Sequence, residues 1–137
     1  MKFVLLPRPF LWFLWFVWTL LLCILMLSPS DGTVKTISGF FGGTEITDAI
    51  GHVILIGVDC ILLYGAMMHY FSQATTRKLA GIFALVLGIT LELGQLFIPS
   101  RGASLIDLIA AVVGVGMAEL LILRFGDAFT DHWVIRT

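Results

Sequence analysis

Four runs of apolar residues, each close to 20 positions long, succeed one another along this chain. They cover residues 10–27, 49–71, 79–97 and 105–123, and each is long enough to cross a hydrocarbon core as a helix. Between them the polar positions gather in short segments. The first run follows Lys2 and Arg8, as a signal peptide would, yet it holds 18 residues without a charge and no A-x-A-like cleavage site follows. It reads as a retained span. A lipoprotein reading through Cys23 fails on Leu21 and Leu22, which stand where a small residue should precede the cysteine.

Composition places the whole chain in the same class. With 59% hydrophobic and 12% charged residues and a mean hydropathy of +1.05, it is far more apolar than a soluble domain. The expected fold is an all-α integral membrane protein, a four-transmembrane-helix bundle forming a single domain over residues 1–137. A net charge of -1 carries no nucleic-acid signature. Cys23 and Cys60 fall at different depths in their spans and read as packing residues rather than a disulfide.

Basic residues orient the bundle, because short loops rich in Lys and Arg stay on the cytoplasmic side. With both termini cytoplasmic, the inner side holds Lys2, Arg8, Arg77, Lys78, Arg124 and Arg136, and the outer side only Lys35 and Arg101. The outer segments are then residues 28–48 and the tight turn 98–104, and the inner loop is 72–78. The protein is expected in the cell membrane as a multi-pass chain whose first partner is the lipid bilayer. The segment ISGFFGG, residues 37–43, is either a hydrophobic flap or a flexible loop touching the interface. Residues 124–137 space Phe125, Phe129 and Trp133 four apart, as interface anchors on a loose tail or as a short interfacial helix. No internal repeat of the kind found in many transporters is evident.

Seven polar or ionisable residues interrupt or border the spans: Asp48, His52, Asp59, Glu92, Gln95, Arg101 and Asp107. Ionisable groups near hydrocarbon are expensive and normally face the bundle interior. At 100° per residue, Asp48, His52 and Asp59 fall within about 40° of one another. Gly81, Leu85, Gly88 and Glu92 make a second stripe, with Gln95 beside it. Asp107, Ala111, Gly114 and Ala118 make a third, and small residues along a stripe let helices approach closely. All seven lie in the outer half, with Asp59 deepest at ~16 Å.

Each has a plainer explanation. Asp48 can cap its helix, and Ser104 with Asp107 forms an S-x-x-D pattern close to a capping box. His52 can be a core histidine whose tautomer Asp48 fixes. Gln95 can bridge helices, and Glu92 can make a structural interhelical bond. Arg101, on the outer side against the positive-inside trend, calls for a partner such as Glu92 or Asp107, or for an anionic ligand.

The stretch LELGQLFIPSRGASLIDLIAAVVG, residues 91–114, resembles the signature of the VanZ-like family: a Glu, a Gln three on, an Arg six further, an Asp six further, then a glycine in the last span. Upstream, DAIGH with Asp48 and His52 resembles the family's D-K-x-x-H. Ala49, Ile56 and Ala111 depart from it, standing where the family usually has Lys, an aromatic and Asn. The resemblance implies a small envelope membrane protein of the type linked to low-level resistance to the glycopeptide teicoplanin.

Function narrows to three classes. A binding role would use Asp48, His52, Glu92, Gln95, Arg101 and Asp107 to hold the headgroup of an anionic envelope lipid or a cell-wall precursor. An enzyme role would use His52 or Glu92 as acid or base on such a lipid. A structural role would make the cluster a polar lock between helices. No cofactor is assigned, and no metal, since a lone histidine among scattered carboxylates lacks a zinc spacing such as H-E-x-x-H.

Overall fold

The structure, a computed structural model, describes residues 8–29, 45–99 and 101–133, with backbone alone for 127–133. Four helices follow in order: α1 (Arg8–Leu27), α2 (Glu45–Met67), α3 (Gln73–Gln95) and α4 (Leu105–Trp133). No strand occurs among the described residues. All four helices are long and apolar enough to cross a membrane.

Helix ends depart from the hydropathy runs for local reasons. α2 begins at Glu45, four residues before its apolar run, because Glu45 and Asp48 place negative charge on the positive end of the helix dipole. α3 begins at Gln73, so most of the expected 72–78 loop is helical. The Ser72 hydroxyl caps that end, accepting from the Thr75 N–H at 3.3 Å. With α3 starting so early, α2 stops at Met67 rather than 71, and the chain reverses in the turn where the Tyr70 N–H bonds the Met67 carbonyl. α4 runs on through Trp133 as one helix, which replaces the loose tail or separate interfacial helix. That stretch contains no proline, and its lone Gly126 costs too little to break it. The 37–43 segment and Lys35 lie outside the described residues.

The bundle is apolar on its outside and small or polar on its inside. Phe13 is 62% exposed and Leu120 67%, along with many other large apolar side chains on all four helices. Buried between the helices are Ala80, Ala84, Ala111 and Ala118 with His52, Asp59, Thr76, Glu92 and Gln95. A soluble bundle would reverse this arrangement. The pattern is consistent with a multi-pass membrane protein.

α2 and α4 make the most extensive contact, and α1 leans on α2 and α3. Their approach depends on two glycines. A Cβ on Gly114 would sit 2.5 Å from the Val53 carbonyl oxygen, and one on Gly57 would sit 3.0 Å from the Gly114 oxygen. α1 is held by polar and aromatic contacts: the Trp18 indole donates to the Leu55 carbonyl at 3.1 Å, and Trp15 meets Phe83 edge-on at 5.6 Å. Cys23 and Cys60 are free thiols, in line with their reading as packing residues.

The end of the bundle formed by the α2–α3 turn carries an ion pair that hydropathy hides. Arg77, read from the sequence as a topology signal alone, donates to Glu119 of α4 at 2.8 Å and so also ties α3 to α4. On the turn itself, partial burial and the positive charge of Arg8 push the His69 imidazole below its ordinary value.

Candidate functional site

The polar cluster forms where α1 and α3 end and α2 and α4 begin. His52 enters from the second turn of α2, Glu92 from the last turn of α3 and Asp107 from the first turn of α4. His52 is 6% exposed and Glu92 4%, while Asp107 is partly open. One ligand atom from each of the three lies within 4.8 Å of the other two.

The bonding pattern assigns roles within this group. His52 Nδ1 lies 2.9 Å from the backbone carbonyl of Asp48, one helical turn earlier. A carbonyl can only accept, so Nδ1 donates, and the neutral ring presents the lone pair of Nε2. Nε2 faces Glu92 Oε2 at 3.5 Å, and Nδ1 lies 3.7 Å from Asp107 Oδ1. Both separations exceed normal hydrogen-bond length. Nε2 of His52 and Oε2 of Glu92 are buried without a hydrogen-bond partner. The Asp48 carbonyl, rather than its carboxylate, thus orients the ring. The Asp48 side chain itself is exposed and takes no place in the buried stripe.

The α4 N-terminus is a capping box completed by another helix. Ser104 Oγ accepts from the Asp107 N–H at 3.4 Å, as the S-x-x-D pattern anticipates. The reciprocal bond does not come from Asp107. The Ser104 N–H donates instead to Glu92 Oε1, which leaves the Asp107 carboxylate free to face His52.

Gln95 bridges two helices, as its position in the sequence allowed, whereas Arg101 does something the sequence did not suggest. Gln95 Nε2 donates to the Met26 carbonyl at 3.1 Å, and Arg101 Nη1 donates to the same oxygen at 3.2 Å. The last carbonyls of a helix have no partner within it, so these two side chains cap α1 from a distance. A cation there also complements the helix dipole. The expected Glu92–Arg101 partnership is therefore absent: among the described residues no carboxylate lies within 4.0 Å of Arg101, and its Nε is buried without a partner. Glu92 is directed to His52 and Ser104 instead.

Asp59 stands apart from the cluster. It is fully buried and bonds through Oδ1 to the Thr19 hydroxyl at 2.6 Å, linking α2 to α1. Glu119 is a further ionisable residue inside a span, and it belongs to the opposite end of the bundle. It sits beside the Ala111–Gly114–Ala118 face of the last span, and a charge inside so apolar a run was its available signal.

Comparison with protein-family models, with curated proteins and with solved structures finds no match to this chain. The likeness to VanZ-like proteins accordingly rests on the residues quoted for it.

Proposed function

We propose that this chain is a VanZ-like protein of the cell membrane whose outer polar end binds the headgroup of an anionic envelope lipid or cell-wall precursor. Arg101 carries the reading. It is a guanidinium at the polar end of the bundle with no carboxylate within 4.0 Å among the described residues and a buried, unpartnered Nε. A charge so placed attracts a phosphate or carboxylate, for which the guanidinium fork is well shaped. Any glycopeptide tolerance would act through that headgroup.

A second reading, the polar lock, is favoured by the bonds that Gln95 and Arg101 make to Met26 and that Glu92 makes to Ser104. Thermal unfolding in nanodiscs separates the two. Under the binding reading, exchanging phosphatidylcholine for phosphatidylglycerol raises the midpoint of the wild type and leaves that of Arg101→Gln unmoved. Equal shifts in both proteins, or none in either, favour the lock.

A further inference from the structure

We propose that His52, Glu92 and Asp107 form a binding site for a divalent first-row transition ion of the Zn²⁺ class. Three potential ligand atoms from three helices lie within 4.8 Å of one another. Proximity of carboxylates alone would carry little. Two buried atoms that face each other without hydrogen bonds, His52 Nε2 and Glu92 Oε2, carry more.

The 3.5 Å between those atoms is too long for a hydrogen bond and close to what one shared ion requires. Two ligands at ~2.0–2.1 Å from a tetrahedral Zn²⁺ stand about 3.4 Å apart. The ring is already in the tautomer a metal needs, because Nδ1 donates to the Asp48 carbonyl at 2.9 Å and leaves Nε2 as the ligand. A backbone carbonyl behind a ligating imidazole is one of the common ways such rings are oriented. Glu92 is held similarly, its Oε1 engaged by the Ser104 N–H while Oε2 points inward. Asp107, freed because Glu92 has taken its place in the capping box, lies beside the same ring with Oδ1 3.7 Å from Nδ1, and a change of side-chain rotamer would carry it to an ion held at Nε2.

Ligand type selects the ion. One imidazole with two carboxylates suits Zn²⁺ or Mn²⁺ better than Ca²⁺ or Mg²⁺, which prefer all-oxygen shells. A divalent ion would also balance two carboxylates at the edge of the hydrocarbon region, where unpaired charge is costly. Three protein ligands leave a coordination position open. Where the lipid reading holds, a headgroup phosphate oxygen can fill it, but the ion site does not depend on that reading.

The test uses the full chain in detergent, stripped with EDTA and titrated with Zn²⁺ in the absence of anionic lipid. One Zn²⁺ per chain is expected, with a raised thermal midpoint, and Co²⁺ loading should give visible absorption of a low-coordinate site. His52→Ala and Asp107→Asn should each weaken binding by at least ~10-fold. Glu119→Gln, which removes a half-buried carboxylate at the other end of the bundle, should bind as the wild type does and so controls for general loss of fold. Absence of stoichiometric binding to folded wild type overturns the proposal. So does binding that survives His52→Ala combined with Asp107→Asn, or binding lost equally in Glu119→Gln. Failure of the phosphatidylglycerol experiment leaves this result untouched, because no lipid phosphate takes part.

Discussion

At the scale of single residues, the bundle end is organised by which backbone group each long polar side chain satisfies. Gln95 and Arg101 share one acceptor, the Met26 carbonyl, and either alone can keep it satisfied. Gln95→Met and Arg101→Met should each cost about 1 kcal/mol or less, the net worth of one hydrogen bond. The double variant should lose more than their sum, because the buried carbonyl is then left without a donor at about 1–3 kcal/mol. A double-mutant cycle by thermal or denaturant unfolding in detergent measures this. Additive losses would mean that water or a lipid headgroup takes over the cap.

At the scale of elements, the α2–α4 contact is decided by where a side chain is missing. Gly114 meets α2 backbone, which cannot swing aside, whereas a Cβ on Gly116 two positions along would meet nothing within 4 Å. Gly114→Ala should therefore destabilise the bundle by about 1–3 kcal/mol through overpacking. Gly116→Ala should be neutral or stabilise by up to ~1 kcal/mol, since alanine loses less backbone freedom in a helix. Parallel unfolding curves of the two variants provide the check. Equal effects would show that α4 can shift on α2 and that the close approach is not obligatory. The same element pair carries His52 and Asp107, so the metal affinity of Gly114→Ala should fall as well.

At the scale of the whole molecule, orientation follows from charge rather than packing. By the positive-inside rule, six basic residues against two would place both termini in the cytoplasm and the His52 cluster on the outer side. Single cysteines in place of Ala74 and Gly102, both exposed and at opposite ends of the bundle, report this in a background lacking Cys23 and Cys60. A membrane-impermeant maleimide added to intact cells should label Gly102→Cys and spare Ala74→Cys. The reverse pattern would put the cluster on the cytoplasmic side and overturn an outward-facing site.

Much of this molecule was determined by its sequence, for a physical reason. A run of about 20 apolar residues can satisfy its backbone in hydrocarbon only as a helix or a closed barrel, so the number and type of elements follow from hydropathy. Inward faces follow from helical periodicity, which correctly buried Gly81, Gly88 and Glu92 on α3 and Ala111, Gly114 and Ala118 on α4. Helix starts were less legible, because caps such as Ser72 set them while hydropathy reports only where the apolar stretch begins. Partner choice was decided by tertiary structure alone. The sequence suggested Glu92 for Arg101, yet Arg101 caps α1 while Glu92 turns to Ser104 and His52, and Glu119 finds Arg77 42 positions away. Those pairings depend on the axial offset and rotation of each helix against its neighbours to within an ångström or two. Periodicity gives a face, and only packing gives the register that brings three helices' side chains to one point.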